Sequence, residues 1–155
     1  MNDVVDVVLN NDMCWDETWV AHFQKYASAF HFTPSVARDI RTKIAAGLAV
    51  PMSQGNDCYE IKFNGKFAGL IMVRQYTDEE NSAEIDITTL DDYRGHHLSE
   101  IAIEKFLKET KYSTIVGFVY DSNPCKAAIN HIFKKLGFTS ELKLGGTEWS
   151  KEVVA

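Results

Sequence analysis

The sequence is poor in the features that would announce a class at a glance. Its three cysteines, Cys14, Cys58 and Cys125, lie far apart and form no C-x-x-C pair, so neither a disulfide framework nor a zinc site is indicated and reduced thiols are expected. No stretch approaches the roughly 20 apolar residues of a membrane span. The opening "MNDVVDVVLNNDMCWDE" has no basic flank followed by an apolar core, so a cytoplasmic protein without a membrane partner is expected. Basic residues are the minority, 16 Lys and Arg against 22 Asp and Glu, for a formal charge of -6. The lysines are scattered, which argues against a nucleic-acid partner, because neutralising phosphates takes a concentrated basic face. The acidic balance is an ordinary solubility charge that would also suit a cationic substrate. No internal repeat, low-complexity tract or linker interrupts the chain. What remains is 155 residues, 45% hydrophobic and 25% charged, read as one globular domain over residues 1–155 that buries roughly 70% of its unfolded surface.

Local patterns divide this domain into alternating elements. "DVVDVVL" (Asp3 to Leu9) reads as a first strand, and two helices are expected after it. Asp16 caps the first, with Trp19, Val20, Phe23, Ala27 and Phe30 at helical spacing; Thr33 caps the second, with Pro34 at its first position and Gly47 as terminator. "YEIKF" and "KFAGLIMVRQY" flank Asn64-Gly65, the strongest short signal for a tight hairpin. "AEIDITTL" (Ala83 to Leu90) alternates as a half-polar strand, "LSEIAIEKFLKE" is an amphipathic helix, and "STIVGFVY" is a continuous apolar run that fits a buried strand. That order predicts a β-α-β crossover and two parallel strands. A helix from Pro124 to Gly137 and a hairpin around Gly145-Gly146 close the chain.

Between the half-polar strand and its helix lies "DDYRGHHLSE" (Asp91 to Glu100). A strand turning sharply into a helix leaves backbone N–H groups converging at the positive end of the helix dipole, which is an anion site. Arg94 adds a fork suited to phosphate oxygens and Gly95 allows close approach. An ordinary turn in which Arg94 is surface charge is the alternative. The adjacent pair His96-His97 does not read as a metal site, since neighbours on a turn point apart and no third ligand is suitably spaced.

These residues, with "VYDSN" ending the buried strand and "FKKLGF" ending the next helix, resemble the GNAT superfamily of acyl-CoA-dependent N-acetyltransferases. The likeness runs from about Val4 to Val153. It implies an α/β (α+β) fold whose central mixed, mostly antiparallel sheet of about six to seven strands is flanked by about four helices. It also implies acetyl transfer from acetyl-CoA to a primary amine by direct attack in a ternary complex, with no metal. By the same resemblance, Arg94 and the backbone amides of Gly95, His96, His97, Leu98 and Ser99 hold the pyrophosphate. The backbone of Ile87, Thr88, Thr89 and Leu90 pairs with pantetheine, Asn123 holds the cofactor arm, and Tyr26, Phe30, His31 and Phe32 line the acceptor side. His97 and Ser99 stand where the family usually has Gly and Gly or Ala, and Phe133 stands where a Tyr commonly protonates the leaving thiolate.

An ammonium must lose a proton before it attacks a thioester. Glu84 and Asp86, on one face of the strand entering the loop, are the candidate bases. Tyr120 or Ser122 would replace the missing acid. Two other readings stay open: a CoA-binding module without catalysis, and a GNAT-fold interaction domain that no longer binds cofactor. The acceptor, a small-molecule or peptide amine, is not specified, and a homodimer is the assembly that the resemblance suggests.

Overall fold

The computed structural model describes residues 3–30, 32–53, 56–75, 81–93 and 95–153. Seven strands, β1 (Val5–Leu9), β2 (Asp57–Phe63), β3 (Lys66–Gln75), β4 (Ser82–Thr89), β5 (Thr114–Tyr120), β6 (Thr139–Lys143) and β7 (Gly146–Glu152), form one sheet in the order β1-β2-β3-β4-β5-β7-β6. Five helices complete it: α1 (Glu17–Lys25), α2 (Ala27–Phe30), α3 (Pro34–Ala45), α4 (Leu98–Glu109) and α5 (Lys126–Lys135).

Local chemistry accounts for most of the boundaries. The Asp16 carboxylate accepts the Trp19 N–H at 2.9 Å and opens α1, and the Thr33 hydroxyl accepts the Val36 N–H at 3.2 Å and opens α3. Asn64 and Gly65, at φ 51° and 81°, make the tight turn between β2 and β3. The helix expected over Trp19 to Phe30 is instead two: the chain leaves helical geometry at Tyr26 (φ -110°, ψ 32°), and Ala27–Phe30 forms a separate single turn. Pro124 does not begin α5. The Asn123 side chain accepts the Cys125 N–H at 2.8 Å and the Asn123 carbonyl accepts the Lys126 N–H at 3.0 Å, so a turn closes first and the helix starts at Lys126. The last hairpin turns at Leu144-Gly145, and Gly146 belongs to β7, where a Cβ would meet the Val119 carbonyl oxygen at 2.4 Å.

Alternation along the strands separates two apolar layers. Leu70 and Cys58 pack with Trp19, Val20, Phe23, Ala37 and Ile40 beneath α1 and α3. Ile71, Val73, Ala83, Ile85, Ile115 and Val119 pack with Leu98, Ala102, Ile103 and Phe106 of α4 and Phe133 of α5 on the other face. Glu84, Asp86 and Thr88 therefore share the face toward α1–α3, as the period of two requires.

The feature that creates a site is where β4 and β5 stop pairing. They are parallel, in register only from Ser82↔Thr114 to Glu84↔Val116. β3 holds β4 up to Thr89, and β7 holds β5 up to Tyr120. Each strand follows its outer neighbour and the sheet opens between them. Every second residue of Ile85–Thr89 then directs its N–H and C=O into the gap rather than to a partner strand.

Candidate active site

A cavity of about 330 Å³ occupies that opening. Ile87, Thr88 and Thr89 of β4 form one wall, and Cys125, Ala128, Ile129 and Ile132 of α5 face them. Gly95, His97, Leu98 and Ser99 close one end, while Asn123, Tyr26 and Phe30 lie around the other side. Tyr26 is anchored there by donating its hydroxyl to Asp91 at 2.6 Å.

The loop end has the backbone of an anion cradle. Gly95 and His97 are both left-handed, at φ 87° and 57°, a shape in which successive amides converge. α4 follows with no cap from the side chain of its N-cap residue His97, which leaves its first amides as donors toward the cavity. His97 thus adopts a conformation that glycine takes without a steric penalty. Left-handed geometry costs a side-chain-bearing residue about 1 kcal/mol or more. His97→Gly is expected to raise the melting temperature and His97→Val to lower it, a comparison that thermal melts read directly. Lys135 also reaches this end, paired with Glu100 at 2.9 Å.

A second chamber of about 230 Å³ lies on the face toward α1–α3. Trp15, Phe23, Phe30 and Phe32 wall it and Asp86 is in its lining. It shares Phe30, Ile87 and Thr88 with the first cavity, so the two meet at β4. At the junction the Thr88 hydroxyl lies 2.6 Å from His22 Nε2, with both residues buried at 8% and 7% exposure.

Arg74, opposite Glu84 in the β3–β4 ladder, holds both candidate bases: Nη1 donates to Asp86 Oδ2 at 2.6 Å and Nη2 to Glu84 Oε1 at 2.7 Å. Burial foremost, opposed by Arg74 and helped by the Asp86 and Glu148 charges, pushes the Glu84 carboxyl above its ordinary value. Tyr120 stands beside this cluster; burial, then the Asp86 and Glu84 charges, push its phenol up as well.

The structure thus brings together Ile87, Thr88, Thr89, Gly95, His97, Leu98, Ser99, Asn123, Tyr26 and Phe30 on the first cavity, and Asp86 and Phe32 with Phe30 on the second. Glu84 and Tyr120 line neither. Leu90 also stays off both; its N–H donates to the Ala68 carbonyl at 2.8 Å. His96 turns away to pack on Phe63, ring centroids 4.7 Å apart, and Ser122 donates to the Ser28 carbonyl at 3.1 Å. Arg94 and His31 lie outside the described residues. Sequence reasoning missed Arg74, Lys135, His22 as the partner of Thr88, and the α5 wall. Only the last had a local signal, the spacing of Cys125, Ala128, Ile129 and Ile132 on one helical face. Among the described residues no cluster of three His, Cys, Asp or Glu side chains is placed to hold a metal, and no helix is long and apolar enough to cross a membrane.

Comparison with solved structures places the architecture. The yncA protein of Salmonella typhimurium, provisionally an acetyltransferase and solved with its cofactor acetyl-CoA, superposes with a TM-score of 0.65 at 13% identity, covering 100% of this chain and 96% of that one. A Desulfovibrio desulfuricans protein provisionally assigned as an acetyltransferase of the GNAT family gives 0.64 at 12%, covering 97% and 100%. An N-acetyltransferase from Staphylococcus aureus Mu50 gives 0.63 at 12%, covering 99% and 100%. No family model matches the chain, and no curated protein matches it at a significant level. The seven-stranded mixed sheet with its flanking helices is the GNAT fold.

Proposed function

We propose that this chain transfers the acetyl group of acetyl-CoA to a primary amine by direct attack in a ternary complex. The observation that carries the reading is the opening between β4 and β5, whose cavity runs from the α4 N-terminus to a second chamber that has a carboxylate in its wall. The likeness to acetyltransferase structures, one of them holding acetyl-CoA, supports it.

The residues present fit that cosubstrate. The free backbone edge of β4 suits the two amides of a pantetheine arm, and the uncapped α4 N-terminus with Lys135 suits a pyrophosphate. When bound, acetyl-CoA supplies an acyl group activated as a thioester. Asp86 attracts the acceptor ammonium and takes its proton, directly or through water. Phe133 has no proton to give; it is buried, and its ring lies against Gly117 of β5. The proton source at the junction is instead the Thr88 hydroxyl, which passes its proton to the leaving thiolate as His22 Nε2–H donates one to the Thr88 oxygen, so that no alkoxide is left. Thr88→Val is expected to lower kcat about 10²-fold, in the range of general acid catalysis, while leaving acetyl-CoA affinity intact, and Thr88→Ser to keep most of the activity. Steady-state kinetics of the two variants check this.

Phe133 also favours one rival, a cofactor-binding module without turnover. Calorimetric titration separates the reading from its alternatives at the first step. Micromolar binding of acetyl-CoA, well above that of ATP or dephospho-CoA, is expected. Absence of heat at millimolar cofactor would leave only an interaction domain.

A further inference from the structure

We infer that the acceptor is a small primary amine whose only charge is its ammonium and whose body is apolar. The inference rests on the acetyl-transfer reading and deepens it. The second chamber, about 230 Å³, is smaller than the roughly 300–1,000 Å³ of drug-sized ligand sites. Four aromatic residues, Trp15, Phe23, Phe30 and Phe32, enclose it, with Ile40, Leu70 and Met72 behind them. Among the described residues Asp86 is the only charged side chain in its lining.

Charge bookkeeping at the inner corner points the same way. Glu84 and Asp86 share the guanidinium of Arg74, so this ion-paired trio carries two carboxylates and one cation, an excess negative charge that suits an ammonium. Glu148 acts on this corner from β7, through Glu84, and does not line the chamber. Val36, 42% exposed, is the lining residue through which the chamber reaches solvent, and among the described residues the lining from Asp86 to Val36 carries no second carboxylate to receive the next ammonium of a polyamine. An amino-acid acceptor would fare worse: its carboxylate would be stripped of water against aromatic rings, with Asp86 repelling it and no cation among the described lining residues to pair with. An ammonium entering past ring faces loses less, because the aromatic quadrupole attracts cations. The acceptor nitrogen then arrives at the Phe30, Ile87 and Thr88 junction with its apolar body in the chamber.

The test uses the full chain with saturating acetyl-CoA and reads both free thiol and N-acetyl product. Benzylamine and isoamylamine are the probes, set against spermidine, L-glutamate and a short peptide with a free N-terminus. The two monoamines are expected to exceed the others in kcat/KM by about 100-fold, the discrimination an apolar pocket with one placed charge delivers. Spermidine, glutamate or the peptide reacting as well or better overturns the inference and leaves acetyl transfer standing. Transfer to neither monoamine also overturns it, and the acetyl-CoA titration then shows whether cofactor binding falls with it. A second variant guards the assignment of the chamber. Val36→Asp puts a carboxylate at the rim in the first turn of α3, where acidic residues favour the helix. It is expected to shift the spermidine-to-benzylamine ratio about tenfold toward spermidine. An unchanged ratio places the acceptor elsewhere and overturns the inference.

Discussion

Asp86→Asn is expected to lower amine turnover by about 10²- to 10⁴-fold, the usual contribution of a positioned acid or base, with acetyl-CoA affinity unchanged. The split follows from position. Asp86 lines the chamber on the α1–α3 face, whereas the cofactor cavity is walled by other residues of β4, by α5 and by the loop before α4. The amide oxygen of Asn still accepts from Arg74, so the β3–β4 pairing survives while the negative charge is lost. Glu84→Gln makes the contrast. Glu84 touches Arg74 but neither cavity, and its carboxyl is raised chiefly by burial. That variant is expected to act on stability and leave turnover near the parent's. Steady-state kinetics with a calorimetric control for cofactor binding checks both; equal losses in the two variants would make the whole Arg74 cluster the functional unit rather than Asp86.

Phe133→Tyr, which adds a hydroxyl at the para position of the ring, is expected to destabilise the protein without speeding it. A Cβ built on Gly117 would lie 2.5 Å from Phe133 Cζ, so the para position of the ring already abuts the backbone of β5. A hydroxyl there overpacks the core at a cost of about 1–3 kcal/mol, or roughly 2–10 °C in melting temperature for a domain of this size. Phe133→Ala, which empties the space between Phe138 and Trp149, is expected to cost about 3–5 kcal/mol. Denaturant and thermal melts measure both. A Phe133→Tyr variant with parent stability and faster thiol release would show that position 133 faces the cofactor cavity and that the Thr88–His22 pair is not the proton source.

The parts of this fold legible in the sequence are those decided by neighbours in the chain. Asn64-Gly65 forces its turn, Asp16 and Thr33 cap their helices through N–H groups three residues on, and the period of two puts Glu84, Asp86 and Thr88 on one face whatever lies opposite. Illegible were the parts decided across the sheet. Gly145-Gly146 looked like the hairpin turn, yet Gly146 is a strand residue kept small by the Val119 carbonyl of β5. The β-α-β order announced that β4 and β5 are parallel, but nothing local says that they separate after Glu84 and Val116, and the site depends on that separation. The α5 wall, the reach of Lys135 and the His22–Thr88 contact, 66 residues apart in sequence, all follow from it or from the stacking of α1 over β4. Residue type was therefore a better guide to which groups could do chemistry than to which of them meet.

Amine-dependent release of CoA thiol from acetyl-CoA is the most direct test of acetyl transfer. With benzylamine as acceptor, thiol and N-acetylbenzylamine are expected to appear one for one, at a rate that saturates in both substrates. Thiol release that stays at the amine-free background with every amine offered, while acetyl-CoA still binds, would contradict the account and make the β4–β5 cavity a cofactor-binding site without turnover.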